Sequence, residues 1–98
     1  MNTSVQFDPE ARREFLDAMD WYDQEKPSLG LEFFNEVDST LKKISSNPDV
    51  FSPFLFSTHR CLLHRFPYSV IYRKVDSAVW VIAVAHTSRR SGYWKDRF

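Results

Sequence analysis

Residues 68–86, "YSVIYRKVDSAVWVIAVAH", decide the fold of this chain. Two runs rich in β-branched and aromatic residues flank Asp76 and Ser77, both turn formers. That pattern predicts an antiparallel hairpin. The second run, Ala78 to His86, is almost continuously apolar, as a central strand covered on both faces would be.

Upstream, "THRCLLHRF" (58–66) reads as a further strand with mixed faces. On that reading Arg60 and Arg65 differ in parity, as do His59 and His64, so the members of each pair face opposite sides. "VFSPFLF" (50–56) is apolar but contains Pro53, which limits it to an edge strand or a covering loop.

The N-terminal half changes period. "SVQF" (4–7) reads as a short strand, and Asp8-Pro9 as a helix start, with an Asp oxygen to cap open N–H groups. Ala11, Phe15, Ala18, Met19 and Tyr22 recur at helical spacing, and the helix should stop before Pro27. A second helix runs from about Leu29, with Phe33, Phe34, Val37, Leu41 and Ile44 on one face, and ends at "SSNPD". So short a connection predicts a helical hairpin. The fold class is therefore α+β: an N-terminal strand and a helical hairpin on a curved, mostly antiparallel sheet of about four strands. "SGYWKDRF" (91–98) is expected as a short helix or turn at the sheet's edge.

Ninety-eight residues make one domain, 1–98. No apolar run approaches the ~20 residues needed to cross a bilayer, and the first ten residues lack the basic and apolar parts of a secretory leader. The single cysteine, Cys61, can form no internal disulfide, so a reduced thiol and a cytoplasmic location are expected. His59, His64 and His86 show no metal-ligand spacing, and two glycines cannot build a phosphate-cradling loop; neither metal nor cofactor is expected.

The net charge of zero conceals a split. Residues 1–49 hold eleven acids and five bases; residues 50–98 hold two acids and eight bases, four of them within the last ten positions. Such asymmetry suggests that the C-terminal half meets something anionic, or that the halves attract each other within the fold. Within "HTSRRSGYW" (86–94), Arg89 and Arg90 can hold a phosphate or carboxylate but cannot act as bases. Tyr93 can stack or transfer a proton, and His86 can serve as a general acid or base near neutral pH. These parts would suit a metal-free RNA-cleaving site or a purely binding surface. Trp21 and Tyr22, at the end of the first helix, read as core or hairpin contacts.

The motifs, taken in order, resemble the RelE/ParE superfamily, the toxins of type II toxin–antitoxin (plasmid stabilisation) modules. The resemblance rests on Pro9-Glu10-Ala11, Trp21-Tyr22, Leu29-Gly30 with Phe33, Arg65-Phe66-Pro67-Tyr68 with Val70 and Tyr72, His86 with Arg89, and Tyr93-Trp94, and it runs the length of the chain. It implies a growth-inhibiting protein held in check by a cognate antitoxin. Some members bind the ribosome and cut mRNA by 2′-OH attack; ParE-like members poison DNA gyrase and are not nucleases. For the nuclease branch, the resemblance implies a site with Arg60 standing in for a strand cation, Arg89 or Arg90 and Tyr93 in the last two roles, and His64 or His86 assisting. This chain departs from that branch at Ser69, where an arginine is expected, and at Leu62 and Leu63, where the branch carries strand cations. The departures and the near-neutral pI favour the ParE-like reading, with the endonuclease and an inactive antitoxin-binding remnant as alternatives. Arg65, Arg89, Trp94 and Lys95 are expected to meet the antitoxin, through the basic sheet side.

Overall fold

The computed structural model describes residues 3–97. Strand β1 (Ser4–Phe7) leads into helix α1 (Pro9–Glu25), then α2 (Leu29–Ser46), β2 (Ser52–Phe54), β3 (Thr58–Leu62), β4 (Tyr68–Val75) and β5 (Ala78–His86). A 3-10 turn at Leu55–Ser57 joins β2 to β3, and another closes the described chain at Lys95–Arg97. One five-stranded sheet has the order β1-β5-β4-β3-β2. The strands that follow the helices pair antiparallel, while β1 joins β5 in parallel. The α+β class and the helical hairpin stand as expected; the sheet is one strand wider because Ser52–Phe54 does pair, as an edge strand ending the sheet.

Local chemistry explains the boundaries. Asp8 caps α1 by accepting from the Glu10 N–H at 2.9 Å, with Pro9 in the first turn. Ser28 precedes α2 in the left-handed region, so its side chain makes no cap; Asp23 of α1 supplies one instead, accepting from the Gly30 N–H at 2.8 Å. Gly30 is required where the helices cross: a Cβ there would lie 2.5 Å from the Met19 carbonyl oxygen.

The sheet has a core on each face. Against the helices lie Ala11, Ala18, Tyr22, Phe33, Val37 and Ile44, packed on Val70, Tyr72, Val79, Val81 and Val84. The opposite face carries Ile71, Ile82, Ala83 and Ala85 under Trp94, which is 1% exposed. The C-terminal segment thus crosses the face of the sheet at Trp94, and only Arg97 reaches the edge, where the whole segment was expected; Phe98 falls outside the described residues. Two cores account for the unbroken apolar run of β5. Its register slips at Ile82, between the Ile71↔Ala83 and Tyr72↔Val81 pairs, so Ile82 and Ala83 both meet the second core.

The strand expected over 58–66 stops at Leu62. The Leu63 N–H donates to the Tyr68 carbonyl and closes a turn ahead of Pro67, while the Glu36 carboxylate of α2 accepts from the N–H groups of His64 and Arg65. His64 and Arg65 therefore leave the strand, and the parity expected for them does not apply.

Candidate functional site

Beyond Phe7↔Val81, β1 has no further residues to pair with β5. The open edge of β5 is covered by side chains instead. Glu14 of α1 accepts from the Val84 N–H at 3.0 Å, and Arg97 donates to the Ile82 carbonyl at 3.1 Å. The two side chains also bind each other through both carboxylate oxygens, at 2.9 and 3.0 Å, and each is 16% exposed. The Tyr93 hydroxyl donates to the same carboxylate at 2.5 Å. Glu14 thereby ties the C-terminal segment to α1 and to β5.

Tyr93 carries Arg89, whose guanidinium lies 3.8 Å from the ring centroid; Arg97 sits 5.1 Å from the same ring. Burial, and then the hydrogen bond to Glu14, raise the Tyr93 hydroxyl above the ordinary phenol value. Tyr93 therefore holds its proton firmly, and its ring is already engaged by two guanidinium groups. The proton-transfer and base-stacking roles expected of Tyr93 fit this environment poorly.

Two depressions meet at Arg89 and His86. On the sheet face, a cleft of about 160 Å³ is lined by Arg60, His86, Arg89, Arg90 and Tyr93, with Ser69 and Trp94 also in its wall. All five residues singled out as candidate catalytic groups thus come together. No carboxylate lines the cleft among the described residues. Arg60 reaches it from β3, stacked on Phe54 at 4.2 Å. Ser69 is 5% exposed and stands where a strand cation was expected. The second depression is an open groove of about 630 Å³ between α1 and the C-terminal end of β5. Asp17, Trp21 and Tyr22 form one wall, and Pro67, Tyr68, His86 and Arg89 the other. Here the aromatic pair divides: Tyr22 is core as expected, whereas Trp21 is 55% exposed on the groove rim.

His86 is oriented by its neighbours. Its Nδ1 is 3.0 Å from the Ser88 N–H and 2.7 Å from the Ser88 hydroxyl, and its ring meets Tyr68 edge-on at 5.1 Å. Nδ1 accepts from the backbone N–H, which leaves Nε2 to carry the ring proton. The geometry offers three guanidinium groups and one imidazole around a small cleft. Such a set of donors can hold an anionic group.

The expected partner-binding set is divided by the fold. Arg89 lies at the junction of cleft and groove, and Lys95 is exposed in the final turn. Arg65 lies apart from the cluster, paired with Glu32 of α2 at 2.6 Å and stacked on Phe66. Trp94 is core, not surface, because it fills the second face of the sheet. Sequence reasoning passed over Glu14. The available signal was its position between Ala11 and Ala18, which places a carboxylate on the buried stripe of α1.

Residues 5–91 match the family model described as "ParE toxin of type II toxin-antitoxin system, parDE". Toxin ParE2 of Mycobacterium tuberculosis (strain CDC 1551 / Oshkosh) is 30% identical over 74 residues, covering 74% of this chain and 70% of that protein. The Toxin ParE2 of strain ATCC 25618 / H37Rv matches to the same extent. Among solved structures, a chain of the chromosomal ParDE TA system from P. aeruginosa superposes with a TM-score of 0.75 at 16% identity, over 86% of this chain and 95% of that one. That last likeness is one of fold.

Proposed function

Because this chain belongs to the ParE toxin family of type II toxin–antitoxin systems, we propose that it arrests growth by binding DNA gyrase through its cationic cleft, until a cognate antitoxin covers that surface. The observation that carries this reading is the state of Tyr93. Its hydroxyl is bound to Glu14 and held protonated by burial. A cleft with guanidinium groups, a tied phenol and Ser69 on the middle strand is better suited to gripping an anionic surface than to moving protons. Charge complementarity favours acidic antitoxin residues against Arg60, Arg89 and Arg90.

His86 supports a second reading, cleavage of mRNA on the ribosome. It stands at the cleft with a ring suited to general acid or base work. Supercoiling by purified gyrase, measured with added protein, together with mapping of mRNA 5′ ends in expressing cells, separates the two. Gyrase inhibition with intact mRNA is expected. Codon-phased cleavage with gyrase unaffected would overturn the gyrase reading.

A further inference from the structure

We infer that Glu14 is a positioning residue for the cationic cleft: through Tyr93 it holds Arg89 at the junction of the cleft and the α1 groove. This rests on the reading of the cleft as the working surface. Four contacts converge on the one carboxylate, from the Val84 N–H, the Tyr93 hydroxyl and both terminal nitrogens of Arg97. They come from β5 and the C-terminal segment, so the carboxylate joins both of these to α1. Arg89 is itself exposed, and an exposed arginine samples many rotamers. Its stack on Tyr93 limits that freedom, and the Tyr93 ring is held in turn by its hydroxyl on Glu14.

The sign of the effect distinguishes positioning from simple electrostatics. Glu14→Gln removes a negative charge close to the cleft. Coulomb attraction for an anionic partner would then increase, and so would toxicity. Positioning predicts the reverse, because Gln accepts less strongly from Tyr93 and Arg97 and releases the ring that carries Arg89.

The experiment uses the whole chain, labelled with nitrogen-15 and carbon-13. A guanidinium over an aromatic ring is shifted upfield by the ring current, so the Arg89 side-chain resonances report the stack directly. We expect this shift to collapse in Glu14→Gln, together with a loss of growth arrest at least as large as half that of Arg89→Ala. Tyr93→Phe keeps the ring and the other bonds of Glu14 but cuts the link between them. It should reduce the shift as well, and it decides the question if Glu14→Gln does not fold. An Arg89 shift that stays at its parent value in Tyr93→Phe and in a folded Glu14→Gln would overturn the proposal, whatever the cleft does. So would full growth arrest by Glu14→Gln where Arg89→Ala is harmless. Full arrest by both Glu14→Gln and Arg89→Ala would instead overturn the reading of the cleft as the working surface.

Discussion

Glu14 and Arg97, 83 positions apart in the chain, form a two-pronged ion pair that closes the open edge of β5. Neither side chain is more than 16% exposed. Removing one partner leaves the other charge buried without its counter-ion, which typically costs roughly 3–5 kcal/mol. Arg97→Met should therefore lower the urea midpoint sharply. The double variant Glu14→Gln/Arg97→Met should recover most of the loss, since it leaves no unpaired charge. A double variant as unstable as Arg97→Met alone would show that hydrogen bonding to β5, not the charge pair, is what counts.

Alkaline pH should unfold the protein earlier than its arginine-rich tail would suggest. Tyr22, Tyr68, Tyr72 and Tyr93 all hold their protons above the ordinary phenol value, chiefly through burial, and Tyr72 is pushed up to about 12. An unfolded phenol ionises near pH 10. Above that, the unfolded chain sheds protons that the folded chain keeps, so stability falls as pH rises. The tyrosine contribution is fully present below about pH 10 and is lost progressively as pH rises above it, for Tyr72 up to about 12. Urea titrations at pH 8, 9.5 and 11 should show a flat region and then a fall, and Tyr72→Phe should make the fall shallower. An unchanged slope in that variant would remove Tyr72 from the account.

Gly30→Ala should loosen the helical hairpin. The new Cβ would meet the Met19 backbone carbonyl at 2.5 Å, and a backbone atom inside a helix cannot step aside. Overpacking of this kind costs about 1–3 kcal/mol. Denaturant unfolding measures it, and a loss well under 1 kcal/mol would mean that α2 slides to accommodate the methyl group.

Trp94→Ala should cost about 3–5 kcal/mol as a large-to-small change in a filled core. It should also expose the sheet face formed by Ile71, Ile82, Ala83 and Ala85, so that the variant binds more hydrophobic dye than the parent. A stable variant with unaltered antitoxin binding would mean that the second core is dispensable.

Arg60 is the cleft cation furthest in sequence from the tail, and it is held on Phe54 rather than on Tyr93. Arg60→Ala should therefore weaken target inhibition without disturbing the Glu14 cluster. A charged contact contributes about 1.5–3 kcal/mol, so roughly ten- to a hundredfold more protein should be needed for the same inhibition. Inhibition at the parent concentration would place the working surface elsewhere.

The elements were legible in the sequence because each is encoded locally. Asp8-Pro9 starts α1, Asp76-Ser77 turns β4 into β5, and the spacing of Phe33, Val37 and Ile44 marks the inner face of α2. The candidate cluster was legible in part, since Arg89, Arg90 and Tyr93 fall within one short segment, whereas Arg60 was grouped with them only through the family resemblance and is brought beside them by the fold. The end of β3 was not, because it depends on Glu36, 28 and 29 positions away, binding the N–H groups of His64 and Arg65.

By itself, then, the sequence determined the helices, the β4–β5 hairpin and which residue types gather at the C-terminal end, since period, capping and turn chemistry act over a few residues. Tertiary structure alone decided what those residues can do. It turned Trp94 inward, set Arg65 against Glu32, and committed the Tyr93 hydroxyl to Glu14. Those outcomes come from side chains that meet only after α1 packs along β5 and the tail crosses the sheet, and no spacing within either segment records that meeting.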